Sequence, residues 1–216
     1  MSQSSRPQDR SAATAGFTLV EVIVVLAVVL LLTGIAVPMI SGYMDDGRRA
    51  RAEAELKVLA SAVTSFYKDV GVWPARSSAG TNNTLYVLCT GTTVPTTNQF
   101  SNNNALNRWL MDGTHGDTLD NHLLSNTPGG ATGGAYPTTG AVRWRGPYTA
   151  GSSPLDPWGR PYLVTVRSGT STSTSNYKRL YVLSAGPNGR IDTVANLTAT
   201  TDLAGDDLGV IISQRQ

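Results

Sequence analysis

Four places in the sequence hold side chains whose types and spacing could do chemistry. Glu21 is the only charged residue between Arg10 and Asp45, and it stands at the mouth of an aliphatic run, Val22-Ile-Val-Val-Leu-Ala-Val-Val-Leu-Leu-Leu32. A carboxylate at membrane depth is costly, so such a residue reads as functional, with a glutamate snorkelling to headgroups as the plainer alternative. His115 and His122 stand near Asp112, Asp117 and Asp120 and could be drawn as a metal site. Without cysteine or a His-x-x-x-His pair the pattern is weak, and surface loop residues are the simpler reading. Asn188, Asp192, Asp202, Asp206 and Asp207 gather around the glycine-rich stretch Ser184-Ala-Gly-Pro-Asn-Gly189. Carboxylate and carbonyl oxygens on a flexible loop are what calcium takes, although an acidic solvated turn would look the same. Cys89 is the single cysteine, which excludes an intramolecular disulfide.

No Gly-x-Ser-x-Gly, phosphate loop or dinucleotide fingerprint occurs, so the chain is expected not to be an enzyme. Its 17 basic and 15 acidic residues give a net charge of +2, which offers nucleic acid no basic surface.

Those residues must be positioned by a small set of elements. Val22 to Met44 carries no charge and is long enough for one membrane crossing. Arg6 and Arg10 precede it and hold that end in the cytoplasm. Beyond Gly42 the pattern turns amphipathic: Leu56, Leu59, Val63, Phe66 and Val70 recur at three- and four-residue steps on one helical face. Arg48, Arg49 and Arg51 read as a solvated face. Gly71 and Trp73-Pro74 end the helix, which is expected over roughly 17–70, with Gly34, Pro38 and Gly42 weakening its middle. Residues 75–141 are polar and read as loop, with short helical pieces at 106–110 and 119–124. Leu155-Asp-Pro-Trp-Gly-Arg-Pro-Tyr162 is a turn. It feeds a strand over 162–167, a hairpin loop over 168–175 and a returning strand over 179–184. The expected fold class is α+β: one long N-terminal helix, its first half transmembrane, packed on a small antiparallel sheet with a long loop insertion.

Gly16-Phe-Thr-Leu-Val-Glu21, followed by the aliphatic run, resembles the type III signal of type IV pilins and pseudopilins. Asp69-Val-Gly-Val-Trp-Pro74, Asp156-Pro-Trp-Gly-Arg-Pro-Tyr162 and Leu183-Ser-Ala-Gly-Pro-Asn-Gly189 are similar, in that order, to the major pseudopilin of type II secretion systems. The resemblance covers roughly 17–74 and 145–210, and residues 75–141 depart from it. It implies a leader, 1–16, removed between Gly16 and Phe17 by a prepilin peptidase that N-methylates Phe17. It implies a membrane and filament-core helix half, 17–42, in which Glu21 sets the register between subunits, and a periplasmic domain, 43–216. It implies calcium in the C-terminal loop, on the Ala185 carbonyl, Asn188, Asp206 and Asp207. The implied partners are further copies in a homopolymer, the inner-membrane secretion platform, minor pseudopilins and the membrane itself. The implied setting is a single-pass protein of the bacterial inner membrane, assembled into a periplasmic pseudopilus. A surface pilus subunit for adhesion or motility, and a membrane-anchored binding module, are the other readings.

Overall fold

The computed structural model describes residues 16–82, 84–94, 115–166, 179–193 and 203–214. The expected leader over 1–15, the helical piece at 106–110, the hairpin loop at 168–175, and Asp112, Arg167 and Asp202 lie outside the described residues.

Helix α1 runs from Leu19 to Val70, 52 residues, and continues through Pro38. Gly71 ends it with a left-handed φ of 73°, its N–H donating to the Tyr67 carbonyl at 2.8 Å. Glycine takes that conformation without the steric cost of a Cβ, which is why helices so often stop on it. The chain divides after Asp45 into two compact units. In the first, every residue whose burial is described is exposed, including Leu30 at 72% and Phe17 at 86%. Among the described residues nothing packs on this apolar stretch, and the helix is long and apolar enough to cross a membrane.

In the second unit the remainder of α1 buries Leu56, Leu59, Val63, Phe66 and Val70, the residues whose spacing marks one face. Each such side chain contributes about 1.5–3 kcal/mol on burial. Phe66 is fully buried and meets the rings of Tyr136 and Tyr148 edge-on, with centroids 4.9 and 5.5 Å away.

The sheet beneath has five strands: β1 (Val87–Cys89), β2 (Gly116–Thr118), β3 (Leu163–Thr165), β4 (Arg179–Ser184) and β5 (Leu208–Gln214). Their spatial order is β2-β1-β3-β4-β5. The pairs β1·β3, β3·β4 and β4·β5 are antiparallel, and β2 adds in parallel to β1. The reading of 75–141 as loop therefore needs correction in part: this stretch supplies β1 and β2, while the helical piece expected at 119–124 is present as α2 (Leu119–Leu123). In-register pairing of Leu88 with Val164 and Val164 with Val182 sets one row in the cluster that includes Leu59, Val63 and Phe66. The neighbouring row, Cys89, Leu163 and Leu183, belongs to a second cluster with Ala185 and Ile191, against which Leu203 packs. Side-chain alternation along strands makes these opposite faces. One is covered by α1 and the other by the C-terminal loop. The buried Cys89 has its thiol pushed up to about 12, first by burial and then by the charge of Asp117, so it is inert at neutral pH.

Candidate functional site

Three of the residue groups singled out in the sequence are described, each in a different setting. At the start of α1, Thr18 and Glu21 form a reciprocal cap. The Thr18 N–H and Oγ–H donate to Glu21 Oε2 at 3.2 and 3.1 Å, and the Glu21 N–H donates to Thr18 Oγ at 3.3 Å. A Thr-x-x-Glu spacing supports this arrangement, in which each side chain satisfies a backbone donor of the first turn. Glu21, Phe17, Val22, Val25 and Leu26 line a shallow apolar groove on the helix surface. Gly16 precedes the helix and is exposed.

The C-terminal loop brings Asn188, Asp192, Asp206 and Asp207 together. The Asn188 N–H donates to Asp206 Oδ2 at 2.9 Å, and its side-chain amide donates to Asp192 Oδ2 at 3.2 Å. The N–H groups of Asp192 and Thr193 donate to Asp207 Oδ2 at 3.0 and 2.7 Å. Two glycines permit this closeness. A Cβ on Gly186 would lie 2.2 Å from the Asp206 carbonyl oxygen, and one on Gly205 would lie 2.2 Å from Asp192 Oδ2. Burial pushes Asp207 up to about 6, against the opposing pull of the Thr193 and Asp192 donors.

Among the described residues, Asp206 Oδ1 and Asp207 Oδ1 are buried with no hydrogen-bond partner. A buried carboxylate oxygen without a donor is costly unless a cation meets it. Among the described residues no three His, Cys, Asp or Glu side chains converge as a complete set of metal ligands. The oxygens left without a donor are therefore Asp206 Oδ1 and Asp207 Oδ1, hard carboxylate oxygens of the kind a calcium ion takes.

The two histidines prove unlike each other. His115 is half-buried and stacks on Tyr86 at 4.4 Å, whereas His122 is fully buried, so its reading as a surface loop residue does not hold. His122 Nδ1 lies 2.8 Å from the Tyr136 hydroxyl and Nε2 lies 2.9 Å from Asp117 Oδ2. Asp117 Oδ2 also accepts from the Gly129 N–H at 2.6 Å, and Oδ1 accepts from the Thr118 N–H and the Asn121 amide at 2.8 and 2.7 Å. Burial alone would raise Asp117. His122 and these donors outweigh it and hold the carboxyl below its ordinary value. Both ring nitrogens of His122 are thus engaged, and the Tyr136 oxygen also accepts the Arg76 N–H at 3.3 Å. Burial raises the Tyr136 hydroxyl well above its usual range. The network is sealed and fully satisfied, so it serves the fold rather than a reaction.

The pattern Thr18-x-x-Glu21 was a legible capping signal. Nothing in the sequence joins His122 to Tyr136, or Arg160 to the C-terminal loop, which its Nη1 reaches at 2.8 Å through the Gly186 carbonyl.

Comparison with known proteins bears on two parts of this description. The family of protein G of the type II secretion system matches residues 134–199. That span contains β3, β4, the 155–162 turn and the first part of the C-terminal loop, and ends before Asp206 and Asp207. Fimbrial protein EcpC of Eikenella corrodens is 36% identical over 64 residues, 30% of this chain and 42% of the relative. Type IV major pilin protein PilE1 of Neisseria gonorrhoeae is 35% identical over 65 residues, 30% of each chain. Type IV major pilin protein PilE of the same organism is 36% identical over 66 residues, 30% of this chain and 40% of that one. The chain thus spans less than half the length of each of these relatives. No solved structure matches. With the long apolar helix and the sheet packed on its second half, these matches support the type IV pilin-like superfamily.

Proposed function

We propose that the chain is a structural subunit of the pseudopilus of a type II protein secretion system. The observation that supports this most is the coincidence of the protein G match over 134–199 with the turn, strands and loop that wrap the sheet. In this reading a prepilin peptidase cuts between Gly16 and Phe17 and methylates the new terminus. The apolar half of α1 holds the subunit in the inner membrane, with the domain in the periplasm, until it joins other copies. Because the similar fimbrial and pilin proteins of Eikenella and Neisseria bear names of surface filaments, the second reading is a type IV pilus subunit. Deletion of the gene separates the two. Loss of protein export with surface pili retained supports the secretion role, and loss of pili with export retained overturns it.

Processing has its own readout. Intact mass of membrane-extracted protein should show a chain beginning at Phe17 and heavier by one methyl group. A chain still starting at Met1, or cut beyond residue 36, would end the filament-subunit reading.

The C-terminal loop would hold calcium through the Ala185 carbonyl, Asn188, Asp206 and Asp207. The ion would supply positive charge to the two orphaned carboxylate oxygens. The full chain in detergent should melt lower in excess chelator and recover with calcium, by about 2.7 kcal/mol at a hundredfold excess over Kd. Magnesium should restore less, since it demands a tight octahedron. Asp206→Ala should remove the calcium response, and Asp46→Ala, on an exposed part of α1, should keep it. Equal melting temperatures in chelator and millimolar calcium would refute the site.

A further inference from the structure

The turn over 186–189 is gripped from two sides. On one side stands Arg160, whose Nη1–H donates at 2.8 Å to the Gly186 carbonyl, the oxygen that also accepts the Gly189 N–H at 3.3 Å to close the turn. The backbone of Gly189 lies directly against the guanidinium: a Cβ there would come within 2.3 Å of Arg160 Cζ. On the other side Asp206 receives the Asn188 N–H, and its carbonyl fills the space beside Gly186. The turn cannot shift without moving either the guanidinium or Asp206.

The base of Arg160 is itself fixed. Its N–H donates to Asp156 Oδ1 at 2.8 Å, and the Asp156 N–H donates to its carbonyl at 2.7 Å. Asp156 is 3% exposed, and its Oδ2 accepts the Ser184 hydroxyl at 2.7 Å. That same Ser184 oxygen accepts the Gly186 N–H at 3.2 Å. The 155–161 turn therefore holds Gly186 by its N–H, through Asp156 and Ser184, and by its C=O, through Arg160.

We propose that Arg160 is a positioning residue for the C-terminal loop, a permanent cation that braces the 186–189 turn and thereby presets Asn188 and Asp206 as donors. A guanidinium is charged at every relevant pH and its planar fork keeps a fixed direction, so it does this whether or not an ion is bound. The presetting of donors rests on the calcium reading given above; the bracing of the turn does not.

The test uses the full chain in detergent micelles, as wild type, Arg160→Ala, Arg160→Lys and Gly189→Ala, the last setting a Cβ against the guanidinium at a left-handed φ of 69°, so that the Arg160 variants separate the brace from backbone strain. In chelator, amide hydrogen exchange at 186–190 should quicken about tenfold or more in Arg160→Ala and Gly189→Ala, with Arg160→Lys between, as local opening becomes easier. The calcium Kd should rise about 10- to 100-fold, the usual effect of losing a group that orients ligands. Saturating calcium should restore the exchange protection. A lowered melting temperature with unchanged Kd would mean a merely structural role and would overturn the positioning. If wild type binds no calcium, the calcium reading fails by itself, and exchange in chelator still decides the brace. Unchanged exchange at 186–190 in both Arg160→Ala and Gly189→Ala would overturn it.

Discussion

A full-length chain carrying Glu21→Ala should reach the inner membrane in wild-type amounts and form no filament. Insertion is spared because the substitution removes a charge whose burial at membrane depth costs about 2.5 kcal/mol or more. The reciprocal cap with Thr18 is lost as well, but an N-cap is worth only about 0.5–2 kcal/mol, little for a helix of 52 residues. In the proposed filament role, what disappears is the carboxylate that would pair with the amino terminus of a neighbouring helix, a pair that a single axial offset between helices would make. Glu21→Gln separates the two roles, since it retains an acceptor for the Thr18 N–H without the charge. Sheared filaments, counted by electron microscopy against subunit in the membrane fraction, provide the measurement. Polymerisation of Glu21→Ala at wild-type levels would show that register is set elsewhere, and assembly by Glu21→Gln alone would assign the role to the cap.

The other large effect is expected far from the filament core. Asp117→Ala should destabilise the domain by about 3–5 kcal/mol, the usual result of removing one partner from a buried charged network. Four hydrogen bonds converge on this carboxylate, from His122, Asn121, Thr118 and Gly129 at 2.6–2.9 Å, so its loss strands several donors at once. The pH dependence has a definite sign. The folded-state pKa of Asp117 is depressed, so its contribution is complete above about pH 4 and is lost as pH falls through the lower, folded value. Acid unfolding monitored by circular dichroism should therefore be steeper below pH 4 in wild type than in Asp117→Asn, which keeps the shape without the charge. Identical acid limbs would remove the electrostatic part of the argument, and a melting temperature unchanged in Asp117→Ala would remove the rest.

The parts legible in the sequence are those in which one periodicity decides the structure. Leu56, Leu59, Val63, Phe66 and Val70 fall on the buried face at the spacing a helix requires, and the break at Gly71 is where the helix ends. β3 and β4 lie inside the expected strand segments because Leu163-Val-Thr and Arg179-Leu-Tyr-Val-Leu-Ser are rich in β-formers beside a Pro and Gly turn. β1 and β2 leave no periodic signal in the sequence because three residues are too few to show alternation, and β1 is buried on both faces. β5 is absent from the expected strands because it starts directly after the acidic turn and Gly209 interrupts its apolar run. Within the candidate site, residue type pointed to Glu21 and to the Asn and Asp cluster. The supports, Arg160 and the His122 network, join residues far apart in the chain, and no local pattern encodes them.

The two outermost strands of the sheet bear on what a self-associating subunit must avoid. β2 is three residues long, and β5 is interrupted by a register shift opposite Leu180 and Tyr181, where Leu180 pairs with Ser213 and Tyr181 with Ile211. Such a bulge bends a strand and increases its local twist, which spoils it as a template for another chain. Ile211, 45% exposed, would otherwise offer an apolar grip beside open backbone groups. In the proposed filament role, copies would meet at high local concentration, where a long flat border would zip into amyloid-like ribbons. A short border on one side and a kinked one on the other close that route.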